Sequence, residues 1–171
     1  NTPMAGSTVR VISGNFITAR PVGVLDGVDF QHSGLVRKVD VGGIMRTLDF
    51  GAMVLLSPFG FSPTGEAFNL TMEEVATSVA IALQADKLIF VTEIPGIRLK
   101  PDEPEGEDNP IDTELPLAAA EKLLAQVPAG QRPTDTAFYL QHCVKACKAG
   151  VERSHILPFA LDGALLLEIY V

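Results

Sequence analysis

Three side chains able to bind a polar ligand stand together at the start of a predicted helix. Asn69, Thr71 and Glu73 follow a predicted loop at residues 59–70. The first N–H groups of a helix have no partner within it, so such a place favours an anion. These residues also have common structural roles, because Asn is a frequent turn residue and a carboxylate in the first helical turn interacts favourably with the helix dipole. Both interpretations stay open from the sequence.

Lys87 and Glu168 are two charges in apolar surroundings. Lys87 precedes the apolar run 88–91, and Glu168 interrupts the apolar run 165–171. A lone charge beside a buried strand is usually a rim charge at the protein surface. Composition and pattern therefore indicate a ligand-binding α/β domain without naming the ligand.

Other catalytic and metal-binding patterns are missing from the sequence. The three histidines lie far apart in the chain: His32, His142 and His155. Cys143 and Cys147 lack the second ligand pair that zinc sites use. Neither a G-x-S-x-G nucleophile elbow nor a Walker-type G-x-x-x-x-G-K-[ST] loop occurs. We therefore expect structural thiols, no metal site and no catalytic residue within this chain.

The charge distribution argues against two classes of partner. The chain has 171 residues, 47% of them hydrophobic, and a formal net charge of −8. Seven of its 21 carboxylates lie in residues 100–114, and the remainder is near neutral. We therefore expect neither nucleic acid nor an anionic membrane as partner. In addition, no apolar run reaches the roughly 18 residues that a membrane span requires. Two cysteines lie four residues apart on a predicted helix, which indicates free thiols rather than a disulfide. Because free thiols are typical of a reducing compartment, we expect the protein in the cytoplasm.

The helix that follows Asn69 is predicted between two buried strands. Thr71 and Glu74 form a capping-box pattern, and apolar residues then recur at three- and four-residue steps: Met72, Val75, Ala76, Val79, Ala80 and Leu83. Apolar strands are predicted at 52–58 and 88–91, which gives a right-handed βαβ unit with parallel strands. Ligands bind beyond the carboxyl ends of such strands, where Asn69 and Glu73 would lie.

The remaining segments complete a three-layer αβα fold with a mainly parallel open sheet. Residues 8–19 are predicted as a bulged strand or a hairpin, and residues 21–40 as a β-meander with a strand at 35–39. A further strand is predicted at 154–159. Helices are predicted at 41–49, 117–127, 136–149 and 162–170. The predicted domain organisation is a β-rich flap at 1–40, the βαβ unit at 41–100, an acidic insertion with a helix at 101–133, and an αβα segment at 134–171. Because the chain opens without Met and ends on an apolar run, we expect a fragment of a longer protein.

Several segments resemble a known family. They are SGNFITARPVGVLDGVDFQHSG, PTGEAFNLTMEEVAT, ADKLIFVTEIPGI, VKACKAGVERSHI and DGALLLEIY. Together they resemble the amino-acid-kinase-like domain of bacterial N-acetylglutamate synthases, which are related to acetylglutamate kinases. The resemblance covers the chain apart from residues 101–133, and it implies the C-terminal portion of the amino-acid kinase fold.

The resemblance implies a regulatory role for this chain. In the family a separate C-terminal acetyltransferase domain, absent from this chain, moves acetyl from acetyl-CoA to L-glutamate in the first step of arginine biosynthesis. L-Arginine inhibits the enzyme by binding the kinase-like domain, and relatives form homo-oligomers. This chain would therefore need no cofactor and would be inactive alone.

The resemblance also implies that phosphoryl transfer is lost. Kinases of the family carry N-x-N-x-D at this helix start, where Asn69 matches the first Asn, Thr71 replaces the second and Glu73 replaces the Asp. Tyr139 stands where the kinases have the lysine that neutralises the transferred phosphoryl group. A phenol carries no positive charge at neutral pH, and phosphoryl transfer depends on positioning and charge stabilisation. Asn69, Glu73 and Tyr139 are therefore expected to form a vestigial kinase site.

Lys87 and Glu168 match arginine-binding positions of the family. The resemblance assigns Lys87 to the arginine carboxylate and Glu168 to the guanidinium, and opposite charges suit the two ends of arginine. Relatives have a histidine where Gly163 stands. Two other functions stay open: an active amino-acid kinase of the acetylglutamate or carbamate type, and an oligomerising scaffold module without a ligand.

Overall fold

A computed structural model of the protein describes residue 6 and residues 8–97, 114–126 and 134–170. These residues belong to two compact units, Asn1–Leu83 and Gln84–Val171. The boundary falls inside the segment 41–100 that was predicted as a βαβ unit, and the division into four segments stays a prediction. Much of the predicted acidic insertion, at 101–113 and 127–133, lies outside the described residues.

A four-stranded sheet forms the centre of the first unit. The described elements of this unit are β1 (Val11–Ser13), β2 (Ile17–Pro21), β3 (Val24–Leu25), β4 (Val28–Asp29), β5 (Gly34–Val39), α1 (Val41–Asp49), β6 (Met53–Leu55), β7 (Phe59–Phe61), β8 (Ala67–Asn69) and α2 (Met72–Leu83). The sheet has the order β5-β2-β7-β8, and β2 pairs antiparallel with β5 and parallel with β7. Its core contains Ile17, Ala19, Val39, Ile44, Phe68, Leu70 and Val75.

Two predictions for the first unit are wrong. Residues 8–19 form neither a bulged strand nor a hairpin, because β1 pairs in parallel with β6 while β2 joins another sheet. The predicted loop 59–70 contains the hairpin β7–β8, whose turn is held by Ser62 Oγ accepting from the Glu66 N–H at 3.0 Å. Residues 62–65, S-P-T-G, are typical of a turn, and Gly65 adopts a φ of +87° that a side chain would disfavour.

The strand β6 is less buried than the sequence predicts. Met53 and Leu55 are 59% and 60% exposed, whereas Val54 packs against the core. Among the described strands β6 pairs with β1, and β9 (Lys87–Thr92) pairs with β10 (Arg153–Pro158). The parallel arrangement of the two strands on either side of α2 stays a prediction.

Helix α2 is confirmed together with half of the predicted capping box. Thr71 Oγ1 accepts from the Glu74 N–H at 3.2 Å, which satisfies one donor at the helix start. The Glu74 carboxylate accepts instead from the Val36 N–H at 3.3 Å and thereby links the helix to β5. The helix ends at Leu83, after which Gln84 adopts a left-handed φ of +49°.

The second unit has three layers, a helix on each face of the two-stranded sheet β9–β10. Its other described elements are α3 (Leu117–Ala125), α4 (Asp135–Lys148) and α5 (Ala164–Tyr170). β9 and β10 pair in parallel over six positions, from Arg153 opposite Lys87 to Pro158 opposite Thr92. Alternate side chains of a strand point to opposite faces, so the even residues Phe90 and Ser154 meet α4 while the odd residues meet α5.

Helix α4 packs on the apolar face of this sheet. The Tyr139 ring lies 5.4 Å from the Phe90 ring, and α3 packs on the far side of α4 through Ala120, Leu140 and Val144. The helix ends at Lys148, and the predicted stop Gly150 follows with a φ of +109°, a conformation that glycine adopts without strain. The predicted helices at 117–127, 136–149 and 162–170 are confirmed, with ends within two residues.

Candidate functional site

Three charged or titratable side chains meet on the face of β9–β10 that α5 covers. Lys87 opens β9, His155 is the third residue of β10, and Glu168 lies on α5. In the parallel register Lys87 stands opposite Arg153, two residues before His155, so both strands contribute to this face. We call Lys87, His155 and Glu168 the strand–helix cluster.

The contacts within the strand–helix cluster are short and specific. Lys87 Nζ donates to the main-chain carbonyl of Glu168 at 2.6 Å. The Glu168 carboxylate lies 2.9 Å from His155 Nδ1 through its Oε2 atom. The side chains of His155 and Glu168 are 20% and 32% exposed, so the pair is shielded without being fully buried. Charges in such a partly shielded place interact more strongly than charges in open water.

The two nitrogens of His155 have different surroundings. Nδ1 donates to the Glu168 carboxylate, whereas Nε2 is buried and has no hydrogen-bond partner among the described residues. A carboxylate oxygen accepts, so Nδ1 carries the proton of this contact. The imidazole therefore acts on the cluster through one nitrogen.

The structure brings together Lys87 and Glu168, as the arginine prediction requires, although their roles stay predictions. Lys87 contacts the main-chain carbonyl of Glu168, and His155 contacts its carboxylate. His155 is not among the predicted site residues, because histidines were weighed only as metal ligands. A usable signal was present, since a histidine within the apolar strand 154–159 is as unusual as Lys87 beside the run 88–91.

The predicted vestigial kinase residues lie in different units. Asn69 is the last residue of β8, with its side chain exposed and its N–H donating to the His32 carbonyl at 2.8 Å. Glu73 lies half-buried in the first turn of α2, in the same unit. Tyr139 belongs to α4 of the second unit, where its ring packs between Phe90 and Phe138 at 5.4 and 5.9 Å. The joint site stays a prediction.

Both cysteines are free thiols on α4. Burial, reinforced by the neighbouring Cys147, raises the pKa of the Cys143 thiol from its ordinary 9.0 to about 12. A thiol with so high a pKa is inert at neutral pH, because the thiolate is the reactive form. In the part of the chain that the structure describes, no group of three or more His, Cys, Asp or Glu side chains could hold a metal ion.

A shallow groove in the second unit lies apart from the strand–helix cluster. Its lining is apolar apart from three polar side chains, of which Lys148 is held by Glu121 at 2.7 Å. The lining residues are Leu124, Gln141, Val144, Lys145, Lys148 and Ala149. None of them belongs to the cluster. Across the described ranges no helix has the length and apolar character that crossing a bilayer requires.

Comparison with known families decides the wider relationship. The model of the amino acid kinase family matches residues 2–158. The chain belongs to the amino acid kinase family. This finding confirms the predicted α/β fold. The matched residues include Lys87 and His155 of the strand–helix cluster and end before α5, which carries Glu168.

Relatives of this family member are bacterial amino-acid acetyltransferases. The enzyme of Ralstonia nicotianae is 54% identical over 171 residues, which cover 100% of this chain and 36% of the relative. The enzyme of Escherichia coli is 44% identical over 171 residues, covering 99% of this chain and 37% of the relative. The chain thus spans little more than a third of the length of the curated relatives it matches.

Solved structures agree with this relationship. The N-acetylglutamate synthase of Neisseria gonorrhoeae, complexed with coenzyme A and L-arginine, matches with a TM-score of 0.83 at 36% identity, over 97% of this chain and 36% of the other. The carbamate kinase of Giardia lamblia matches with a TM-score of 0.70 at 13% identity, which supports the fold alone. The predicted resemblance to N-acetylglutamate synthases is confirmed.

Proposed function

We propose that this chain is the arginine-sensing, regulatory domain of an N-acetylglutamate synthase. The parent enzyme would transfer acetyl from acetyl-CoA to L-glutamate, the first step of arginine biosynthesis. The observation that carries the proposal is the strand–helix cluster, in which Lys87 Nζ donates to the main-chain carbonyl of Glu168 at 2.6 Å. The domain is similar to a synthase complexed with L-arginine.

The cluster has the chemistry that arginine requires. The Glu168 carboxylate offers two acceptor oxygens to a guanidinium, which presents paired N–H donors in one plane. The Lys87 ammonium supplies the positive charge that an α-carboxylate needs. Because the carboxylate is only 32% exposed, an ion pair formed there is screened less than one at the open surface.

The same domain would contribute no chemistry of its own. Tyr139 offers an aromatic ring where kinases of the family use a lysine, and Asn69 and Glu73 would be remnants of the phosphate-binding edge. Alone the chain would be inactive, without a cofactor of its own. Acetyl-CoA and L-glutamate would meet the parent enzyme outside this chain, in a homo-oligomer, and free thiols fit its predicted cytoplasmic location.

The proposal is tested by arginine inhibition of the full-length protein. Acetyl transfer is measured against arginine concentration for the wild type, Lys87→Ala and Glu168→Ala, each relative to its own rate without arginine. We expect inhibition of the wild type and weaker inhibition of both variants, because each loses one charge of the pair. The exposed Glu152→Gln serves as a control of matched charge change. Unchanged inhibition in both variants would remove the cluster from the arginine site.

An active amino-acid kinase is the second candidate, favoured by membership of the amino acid kinase family. It predicts that the full-length protein phosphorylates acetylglutamate or carbamate with ATP and magnesium. The uncharged Tyr139 argues for no measurable transfer. Phosphorylation at an ordinary rate would reverse the order of the two candidates.

A further inference from the structure

We propose that His155 is the positioning residue for the Glu168 carboxylate, and that this imidazole–carboxylate pair sets how strongly the site binds a guanidinium. The inference rests on the proposed arginine-sensing function and deepens it. His155 would act through Glu168, without contact to the ligand.

Glu168 needs an external partner because its own helix cannot fix its side chain by packing. α5 has seven residues, and most of its other side chains are exposed: Leu165, Leu166, Leu167, Ile169 and Tyr170. A glutamate on such a helix would sample several rotamers in the free protein. Each binding event would then have to order it, which weakens binding.

His155 is suited to be the rigid partner. It lies in the six-residue strand β10, which pairs with β9 along its whole length, and its side chain is only 20% exposed. The imidazole has two rotatable bonds, fewer than a glutamate has. At 2.9 Å from Oε2, its Nδ1 holds the carboxylate in one orientation before any ligand arrives.

The carboxylate keeps acceptor capacity when His155 is bound. Two carboxylate oxygens offer about four lone-pair sites in total, and a single imidazole N–H uses one. A guanidinium can therefore approach the same carboxylate. The second contact at this position, from Lys87 to the Glu168 carbonyl, fixes the backbone of α5 at the same residue.

The surroundings of Nε2 exclude a direct ligand contact through that nitrogen. Nε2 is buried and has no hydrogen-bond partner among the described residues, so a ligand in the open part of the cluster does not reach it. For the same reason, an apolar ring at position 155 leaves no new buried group without a partner. Phe therefore removes the Nδ1 donor at little cost to folding, whereas Asn supplies an N–H at the position of Nδ1.

The experiment compares His155→Phe, His155→Asn and the exposed-site control His32→Phe in the full-length protein. Arginine affinity is measured by calorimetry, and the concentration for half inhibition is measured relative to each variant's own uninhibited rate. We expect His155→Phe to weaken arginine binding about tenfold, His155→Asn to restore it to within about threefold, and the control to match the wild type. A value for His155→Phe equal to the wild type, or an Asn variant as weak as Phe, would overturn the inference.

A second comparison separates this inference from the function on which it rests. If Glu168→Gln leaves arginine affinity unchanged, the proposed arginine site itself is wrong. If Glu168→Gln weakens binding and His155→Phe does not, only the positioning role is wrong. The double variant should bind no more weakly than Glu168→Gln alone, because His155 acts through that carboxylate. Thermal unfolding checks the fold, and His155→Leu replaces the Phe variant if the latter does not fold.

Discussion

The two faces of the sheet β9–β10 use the same strands for opposite purposes. Leu88 and Phe90 face α4 and are buried, whereas Lys87 and His155 face α5 and bind the polar groups of Glu168. The face toward α4 is covered by a 14-residue helix, and the face toward α5 by a seven-residue helix with exposed side chains. The difference fits the proposal that one face supplies stability and the other supplies recognition.

The largest effect is expected from the face toward α4. Leu88→Ala removes a side chain that is buried under α4, so we expect the free energy of unfolding to fall by about 3 kcal/mol. Val91→Ala, in the same strand but exposed, should cost less than about 1 kcal/mol. Chemical denaturation of the full-length protein measures both. Equal losses would mean that the two faces do not differ in packing.

The face toward α5 should respond in ligand binding instead. Glu168→Gln keeps the shape of the side chain and removes its charge, so we expect arginine affinity to fall at least about thirtyfold. Glu73→Gln makes the same change in the first turn of α2 and should stay within about twofold of the wild type. Calorimetric titration of arginine compares the two. A larger loss of arginine affinity in Glu73→Gln than in Glu168→Gln would indicate that arginine binds at the start of α2 instead.

The thiol of Cys143 should make the apolar face sensitive to alkali. Its pKa is raised to about 12 in the folded protein, against an ordinary 9.0 that the unfolded chain would have. The contribution to stability is therefore complete below pH 9 and is lost as the pH rises toward 12. Between pH 8 and pH 10 we expect the wild type to lose ~1 kcal/mol of unfolding free energy relative to Cys143→Ala. If the unfolding free energies of the two proteins change in parallel with pH, the raised pKa of Cys143 is contradicted.

The smallest effect is expected at the start of α4. Thr134 accepts from the Ala137 N–H at 3.3 Å through its side chain. Thr134→Ala leaves that donor without its partner, so we expect a loss of about 1 kcal/mol in thermal stability, with arginine affinity unchanged. Thr134→Ser keeps the hydroxyl and should retain most of the stability. A change of arginine affinity in the Ala variant would contradict this expectation and would show that α4 and the arginine site are energetically coupled.

The elements that sequence reasoning found are those with a local signal. α2 and α4 combine a threonine cap with a helical apolar period, and Gly150 marks the end of α4. The strand β9 is visible as an apolar run. These signals depend on residues within one turn or one strand, which the sequence displays directly.

The remaining features depend on pairings that no local pattern contains. The contact from Lys87 to Glu168 joins residues 81 positions apart, and His155 reaches Glu168 because β10 pairs with β9 in one particular register. The exposure of Met53 and Leu55 likewise depends on which elements cover the face of β6, which the local sequence does not contain. Lys87 and Glu168 are therefore predictable as a pair only through family resemblance, and His155 is not.

The most direct test of the central idea is a crystal structure of the full-length protein with L-arginine bound. The account predicts the guanidinium within about 3 Å of the Glu168 carboxylate, with His155 Nδ1 still on the same carboxylate. Arginine bound elsewhere on the domain, with the Glu168 carboxylate contacting only His155, would contradict it.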